Sequence, residues 1–368
     1  MNTFGNLFRV TSFGESHGPL IGGVIDGCPA GVTIDHSVVE SFMSLRRPGS
    51  SNLVTQRCED DHVEFVSGIM NGFSTGMPIA FVIRNKDHHT AHYDNLENCF
   101  RPGHADYTYH AKYHGFRDWR GGGRASARET AVRSVAGAIA SMLLRPLGVE
   151  VCAFVSRVGR ISMPRETESR YFSMDPIELR DRTICSEVRC PDFECSEQMT
   201  REIISAKADK DSVGGMVSCV VKGVPIGWGE PVYDKLDAML AGAMLGINAV
   251  KGFEVGDGFL LSSMKGSDSN DWMYPFQDKF QSETNHCGGI LGGISNGKDI
   301  IFRVAFKPTP TIAKPQMTID INNHPIALDA KGRHDPAVVI RGVAVVESMA
   351  WITLADAFLM SKSSSPVE

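Results

Sequence analysis

The sequence is compatible with an α+β protein built on antiparallel sheets without selecting that fold, and three observations set those bounds. Strand-length runs at 7–12, 21–25, 149–157, 216–224 and 300–306 are bounded by glycine and proline turns. Helical spacing of apolar residues is confined to a few stretches, chiefly 126–142, 236–245 and 345–360. No regular strand, helix, strand alternation of the kind that builds a parallel sheet runs through the chain.

Composition bounds the rest. A chain of 368 residues, 42% apolar and 22% charged, can bury a full core and reads as globular. No apolar run looks long enough to span a bilayer, and residues 1–14 lack the apolar segment of a secretory signal, so no membrane association and a cytoplasmic address are expected. Nine cysteines without a C-x-x-C pair read as reduced thiols, and Cys185, Cys190 and Cys195 match no common zinc spacing. A net charge of −6 and a pI near 6.1 argue against nucleic acid as a partner.

In chain order, the first strand runs into Phe13-Gly14-Glu15-Ser16-His17-Gly18, where two glycines bracket three reactive side chains. Ser37 and Glu40 have capping-box spacing, and Val38, Phe42 and Leu45 follow on one face of a short helix ended by Arg46-Arg47-Pro48-Gly49. Those guanidiniums suit a helix C-terminus, or, with Arg57, an anion site. Residues 63–84 read as two strands around a turn at 72–76. Residues 85–98, with His88, His89 and His92, read as a mobile surface loop rather than a metal site. Residues 162–200 are charged and show no sustained periodicity. The helix at 236–245 leads to Asn248-Ala249, and a second glycine-dense element runs from Asn285 to Gly293. The strand at 300–306 delivers Lys307-Pro308-Thr309-Pro310-Thr311, a stiff loop presenting one cation and two hydroxyls. Arg333, His334 and Asp335 then precede a turn, an amphipathic C-terminal helix spans 345–360, and the tail from 361 is expected to fray.

The richest stretch is 101–133. It holds seven Arg or Lys against three acids inside an acidic protein, which calls for an anionic partner. After Gly121-Gly122-Gly123, Ser126 and Glu129 have capping-box spacing, so a helix is expected to begin at Ser126. Its exposed amides and positive dipole end would favour a phosphate or carboxylate, flanked by Arg124 and Arg128. A glycine-rich turn before an ordinary capped helix accounts for the same residues.

Taken together, Phe13 to Gly18, Arg46 to Gly49, Arg101 to Asp106, Arg120 to Thr130, Asn248 to Gly252, Asn285 to Gly293, Lys307 to Thr309 and Gly332 to Pro336 resemble the chorismate synthase family, in order and over nearly the whole chain. The resemblance implies one domain over 1–368, with long helices sandwiched between antiparallel sheets, assembled as a homotetramer. It implies a lyase that removes phosphate and a ring hydrogen from 5-enolpyruvylshikimate 3-phosphate to give chorismate, requiring reduced FMN without net redox change. By the same resemblance His17 would protonate the departing phosphate, His104 would face the flavin N1 region, and Asp335 would relay a proton. Arg124, Ala125, Ser126, Asn248, Ala249, Gly292, Lys307, Pro308, Thr309, Pro310, Thr311 and Arg333 would contact FMN. Arg46, Arg47, Arg101, Arg128 and Ser16 would bind the anionic groups of substrate or of NADPH.

Three departures bear on this. Leu45 and Asn52 stand where relatives carry basic residues, which weakens the case for NADPH bound by this chain and leaves an external flavin reductase as the other source of electrons. Ala125 stands where a serine is usual, which removes one hydroxyl but leaves Ser126 to cap. A phosphoryl transferase would instead need a P-loop or paired metal-binding carboxylates, and neither is evident.

Overall fold

The computed structural model describes residues 1–47, 53, 60–86, 96–276, 279–329 and 335–364. The expectations for Pro48, Gly49, Asn52, Arg57, His88, His89, His92, Arg333 and His334 lie outside the described residues.

Two five-stranded antiparallel sheets enclose a helical layer. The first has the order Thr3–Phe4, Arg9–Gly14, Leu20–Asp26, Ile79–Arg84, Val63–Phe65. The second has the order Val250–Val255, Ile300–Phe306, Gly215–Lys222, Glu150–Val158, Ile161–Ser162. Between them lie the Thr130–Leu144 and Val339–Ser364 helices, packed against each other, with His36–Arg46 resting on both. Glycines set how close these layers come. An added Cβ on Gly23 of the first sheet would lie 2.5 Å from Val132, and one on Gly342 would meet the Phe306 ring of the second at 2.8 Å. The α+β sandwich implied by the family resemblance is the observed architecture.

Several local expectations are corrected. The His36–Arg46 helix is capped by Asp35, which accepts from the Ser37 amide, not by Ser37, and it buries Val39, Phe42, Met43 and Arg46 rather than a Val38, Phe42, Leu45 face. Residues 63–84 form two paired strands, but a second small hairpin, Ile69–Met70 with Phe73–Ser74, is inserted between them. Asn85 is buried, not part of a solvated loop.

Residues 162–208 hold three helices, Arg165–Ser173, Pro176–Cys185 and Phe193–Ala208, the second and third packed on the Glu150–Val158 strand. Their buried stripes include Glu168 and Thr183, so polar residues interrupt the apolar period that would have disclosed them. Asp175 before Pro176, and Asp192, cap the second and third by accepting backbone amides.

The C-terminal helix begins at Val339, six residues before the expected start, and residues 342–357 are buried all round rather than on one face. By length and composition this helix passes for a membrane span, contrary to the sequence expectation. With 83% of its apolar window buried in the protein, it acts as the central core helix. Its last turn reaches Ser364, so 361–364 are helical rather than frayed.

Candidate active site

The glycine run is a seat for two histidines. Gly121, Gly122 and Gly123 have φ of 58°, 84° and 52°, a left-handed path that residues with a Cβ adopt only at a cost. Space demands glycine as well. A Cβ on Gly121 would fall 2.1 Å from Nδ1 and Cε1 of His17 and 3.1 Å from Oγ of Ser16. One on Gly122 would fall 2.9 Å from Cε1 and 3.1 Å from Nε2 of His104. Two imidazoles 87 positions apart in sequence thus rest on consecutive backbone units. Ser16 and His17 are both buried.

After this turn the Ser126 hydroxyl accepts from the Arg128 amide at 3.3 Å and caps a 3-10 turn, Ala127–Glu129, that leads into the Thr130–Leu144 helix. The cap is where the sequence placed it. The capping box is only half formed, because the Glu129 carboxylate pairs with Arg133 at 2.7 Å instead of turning back to Ser126. Arg124 donates to the carbonyls of Gly14 and Ser12 and to the Ser12 hydroxyl at 2.6 Å, so its guanidinium fastens the glycine turn to the Arg9–Gly14 strand.

His104 belongs to a buried triad. Arg101 donates to both oxygens of Asp106, at 2.7 Å from Nε and 2.9 Å from Nη2. His104 Nδ1 lies 2.8 Å from Asp106 Oδ1 and 3.1 Å from Arg101 Nη2. Burial alone would raise the Asp106 carboxyl, but hydrogen bonds from Arg101 and His104 and the Arg101 charge outweigh it and hold the group ionised, far below the usual carboxylate range. An ionised oxygen at that distance requires a proton on Nδ1, which leaves Nε2 as the lone-pair nitrogen beside Gly122. Burial, reinforced by the Arg101 charge, lowers the His104 pKa despite Asp106, so the ring is neutral near pH 7.

A second network holds Arg46 and Arg128. Asp61, fully buried, takes Arg46 Nη2 at 2.6 Å and also pairs with Arg128. Burial pulls Arg46 down to about 10, against the raising effect of Asp61. Burial would raise Asp61, but the two guanidiniums prevail and lower it. These arginines were expected to face ligand anions, and the anion that each meets here is the chain's own. Arg47 is half-exposed and leans toward Glu40 at 3.5 Å. Leu45 lines a small void with Ile340 and Val343 and with the charged Arg180, Arg189 and Glu347.

The remaining predicted residues join through a chain of contacts. Asn248 Nδ2 donates to the Ala125 carbonyl at 2.9 Å, and Ala249, at φ 69°, accepts the Lys307 amide at 2.9 Å. Lys307 Nζ donates to the Gly103 carbonyl at 2.5 Å, and burial followed by the Lys251 charge lowers its pKa. Pro310 approaches Gly103, Pro308 covers Gly214, the Thr309 carbonyl accepts from Ser212 at 2.7 Å, and Arg101 reaches Thr311 Oγ1 at 3.5 Å.

Asp335 is buried and held by Arg341 Nε at 3.0 Å, on the helix that also approaches Arg46. Gly292 is not brought to these contacts. It lies at the tip of the Ile290–Leu291 and Ile294–Ser295 hairpin, whose hydrogen bonds run to Trp228 and Leu236.

Sequence reasoning missed Asp61 and Asn85. Asn85 sat at the end of an apolar strand, which was a signal, since a lone amide carried inward by a core strand needs buried partners. Asp61 followed two other acids and looked like a solvated run.

Comparison with known proteins identifies the family. The family model for chorismate synthase matches residues 8–359. The chorismate synthase of Porphyromonas gingivalis is 56% identical over 364 residues, covering 99% of this chain and 97% of its own. That of Phocaeicola vulgatus is 52% identical over 363 residues, covering 99% of each. A crystal structure of chorismate synthase aligns with a TM-score of 0.76 and 28% identity, over 97% of this chain and 93% of that one. A sandwich shared over nearly its full length, with homologous sequence throughout, shows that the chain belongs to the chorismate synthase family, the lyases that form chorismate in the shikimate pathway.

Proposed function

We propose that this chain forms chorismate by anti-1,4-elimination of phosphate from 5-enolpyruvylshikimate 3-phosphate, with reduced FMN and no net redox change. The observation that carries the reading is the seating of His17 and His104 on Gly121 and Gly122, which gives one turn two titratable groups at separate positions. Reduced flavin, when bound, supplies electron density for phosphate departure and regains it as the ring hydrogen is lost.

The residues fit such a group. Asn248 Oδ1 and Thr309 Oγ1 are buried oxygens without a hydrogen-bond partner among the described residues, and an acceptor and a hydroxyl left open suit a ligand rich in N–H, O–H and phosphate. Ala125, Ser126, Ala249, Lys307, Pro308, Pro310 and Thr311 would line the same place, with Arg124 fixing its wall. Gly292 and Arg333 keep this assignment on family resemblance alone.

His17 would give a proton to the departing phosphate. His104, kept neutral with its Nδ1 proton fixed by Asp106, would offer Nε2 toward the cofactor. Asp335 would pass on the ring proton. Arg46, Arg47, Arg101 and Arg128, with Ser16, would meet the phosphate and two carboxylates of the substrate. Asp61 and Asp106 offset part of that positive charge before substrate arrives, which keeps buried guanidiniums tolerable. A cytoplasmic homotetramer of single-domain subunits completes the proposal, with electrons from an external reductase or from NADPH.

An anaerobic phosphate-release assay with and without dithionite-reduced FMN tests the reading. Release is expected only with reduced flavin, and equal release without it would overturn the proposal. His17→Ala and His104→Ala should each lower turnover by about 10²-fold with the fold intact by circular dichroism. Near wild-type turnover in either variant removes that histidine's role.

A further inference from the structure

We propose that Asn85 is a positioning residue that aims His17 by clamping the turn that carries it. The inference rests on the reading above in which His17 acts on the substrate. Asn85 is 7% exposed and uses its whole side chain. Its Nδ2 donates to the Glu15 carbonyl at 3.0 Å and to the Gly18 carbonyl at 2.8 Å, the two carbonyls that bracket Ser16 and His17. Its own amide donates to the Pro19 carbonyl at 3.1 Å, and the turn is closed by the Gly18 amide on Glu15 at 3.1 Å. On the other side, Asn85 Oδ1 accepts from Arg128 Nε at 2.9 Å.

Arg128 sits in the Ala127–Glu129 turn that comes after the glycine turn, and it is anchored to Asp61. One carboxamide therefore ties the His17 turn, through two donors, to the Ala127–Glu129 turn beyond the glycine run, through one acceptor. Only a carboxamide supplies two donors and an acceptor here, and the orientation follows from its partners, because two carbonyls demand the nitrogen and the Arg128 Nε–H demands the oxygen. Asn85 itself is assigned no contact with the substrate, so it acts through the His17 turn or through Arg128, and a variant that keeps the Arg128 contact separates the two.

Asn85→Asp keeps the shape and the Arg128 contact but sets an anionic oxygen against two carbonyls. Losing two donors should lower kcat by ~10- to 100-fold, with substrate KM and FMN affinity changed by less than about threefold. The decisive measurement is a double-mutant cycle. If Asn85 works by aiming His17, Asn85→Asp combined with His17→Ala should be no slower than His17→Ala alone. Asn85→Ala, which removes the donors and the Arg128 contact without adding charge, is read by the double-mutant cycle alone if the aspartate variant does not fold. Wild-type kcat in a folded Asn85 variant, or losses that multiply in the double variant, would overturn the inference while leaving His17 in place. A fully active His17→Ala would instead remove the underlying reading, and the inference with it.

Discussion

Gly121 is where one missing methyl group decides the geometry of the site. Alanine there faces a left-handed backbone, costing about 1 to 2 kcal/mol, and also a methyl placed 2.1 Å from the His17 ring. The first effect acts on stability and the second on the position of the imidazole. Gly148 separates them, since it has φ 83° but nothing within 4 Å of an added Cβ. Gly148→Ala should therefore lose a similar amount of stability and keep its turnover, whereas Gly121→Ala should lose turnover by about 10²-fold. Equal turnover in the two variants, measured in the phosphate-release assay, would mean that His17 tolerates displacement. His17 stood out because two glycines bracket its loop in the sequence, and His104 entered through the family resemblance. Their common seat was not legible, because contact across 87 positions leaves no local pattern.

At the level of elements, the same substitution is expected to change sign with its surroundings. Gly137, in the Thr130–Leu144 helix, would place a Cβ 2.6 Å from the Ser348 Cα, so the two central helices meet backbone to backbone. Gly137→Ala should gain about 1 kcal/mol of helix propensity yet lose more to overpacking, for a net destabilisation of about 1 to 2 kcal/mol. Gly242, in the Leu236–Leu245 helix, has nothing within 4 Å of that position, and Gly242→Ala should stabilise by about 1 kcal/mol. Chemical denaturation of both variants checks the pair, and a stabilising Gly137→Ala would show that the helices have room to move. The 236–245 helix and the 300–306 strand were read to the residue because their apolar runs have clean ends. The helices within 162–208 were not, because Glu168, buried on one of them, pairs with Arg303 from a strand more than a hundred residues away. A buried stripe that contains a carboxylate looks solvated until its partner is known.

Across the whole molecule, buried charge pairs tie the sheets and helices together and make stability depend on pH. Asp61 and Asp106 have pKa values lowered on folding, so each contributes stability that is fully present above the ordinary carboxyl value of 3.8 and is lost as pH falls below it toward the folded value. Asp61→Asn, which leaves Arg46 and Arg128 without their counter-ion, should lose about 3 kcal/mol at pH 7 and show a shallower further loss below pH 3.8 than the parent chain. A parallel acid limb in both proteins, followed by urea melts across that range, would show that Asp61 titrates normally. The amino-acid sequence by itself determined most strands of the two five-stranded sheets, the 236–245 helix and the Ser126 cap, because periodicity and turn chemistry are local properties, whereas the sandwich and the roles of His17 and His104 were implied by family resemblance. Only the tertiary structure decided that Asp61 takes both Arg46 and Arg128, that Arg124 braces a strand, and that Asn85 spans two loops. Each of these depends on which charge or donor the folded chain brings within about 3 Å, the range over which a hydrogen bond forms, and that proximity is not written in the order of the residues.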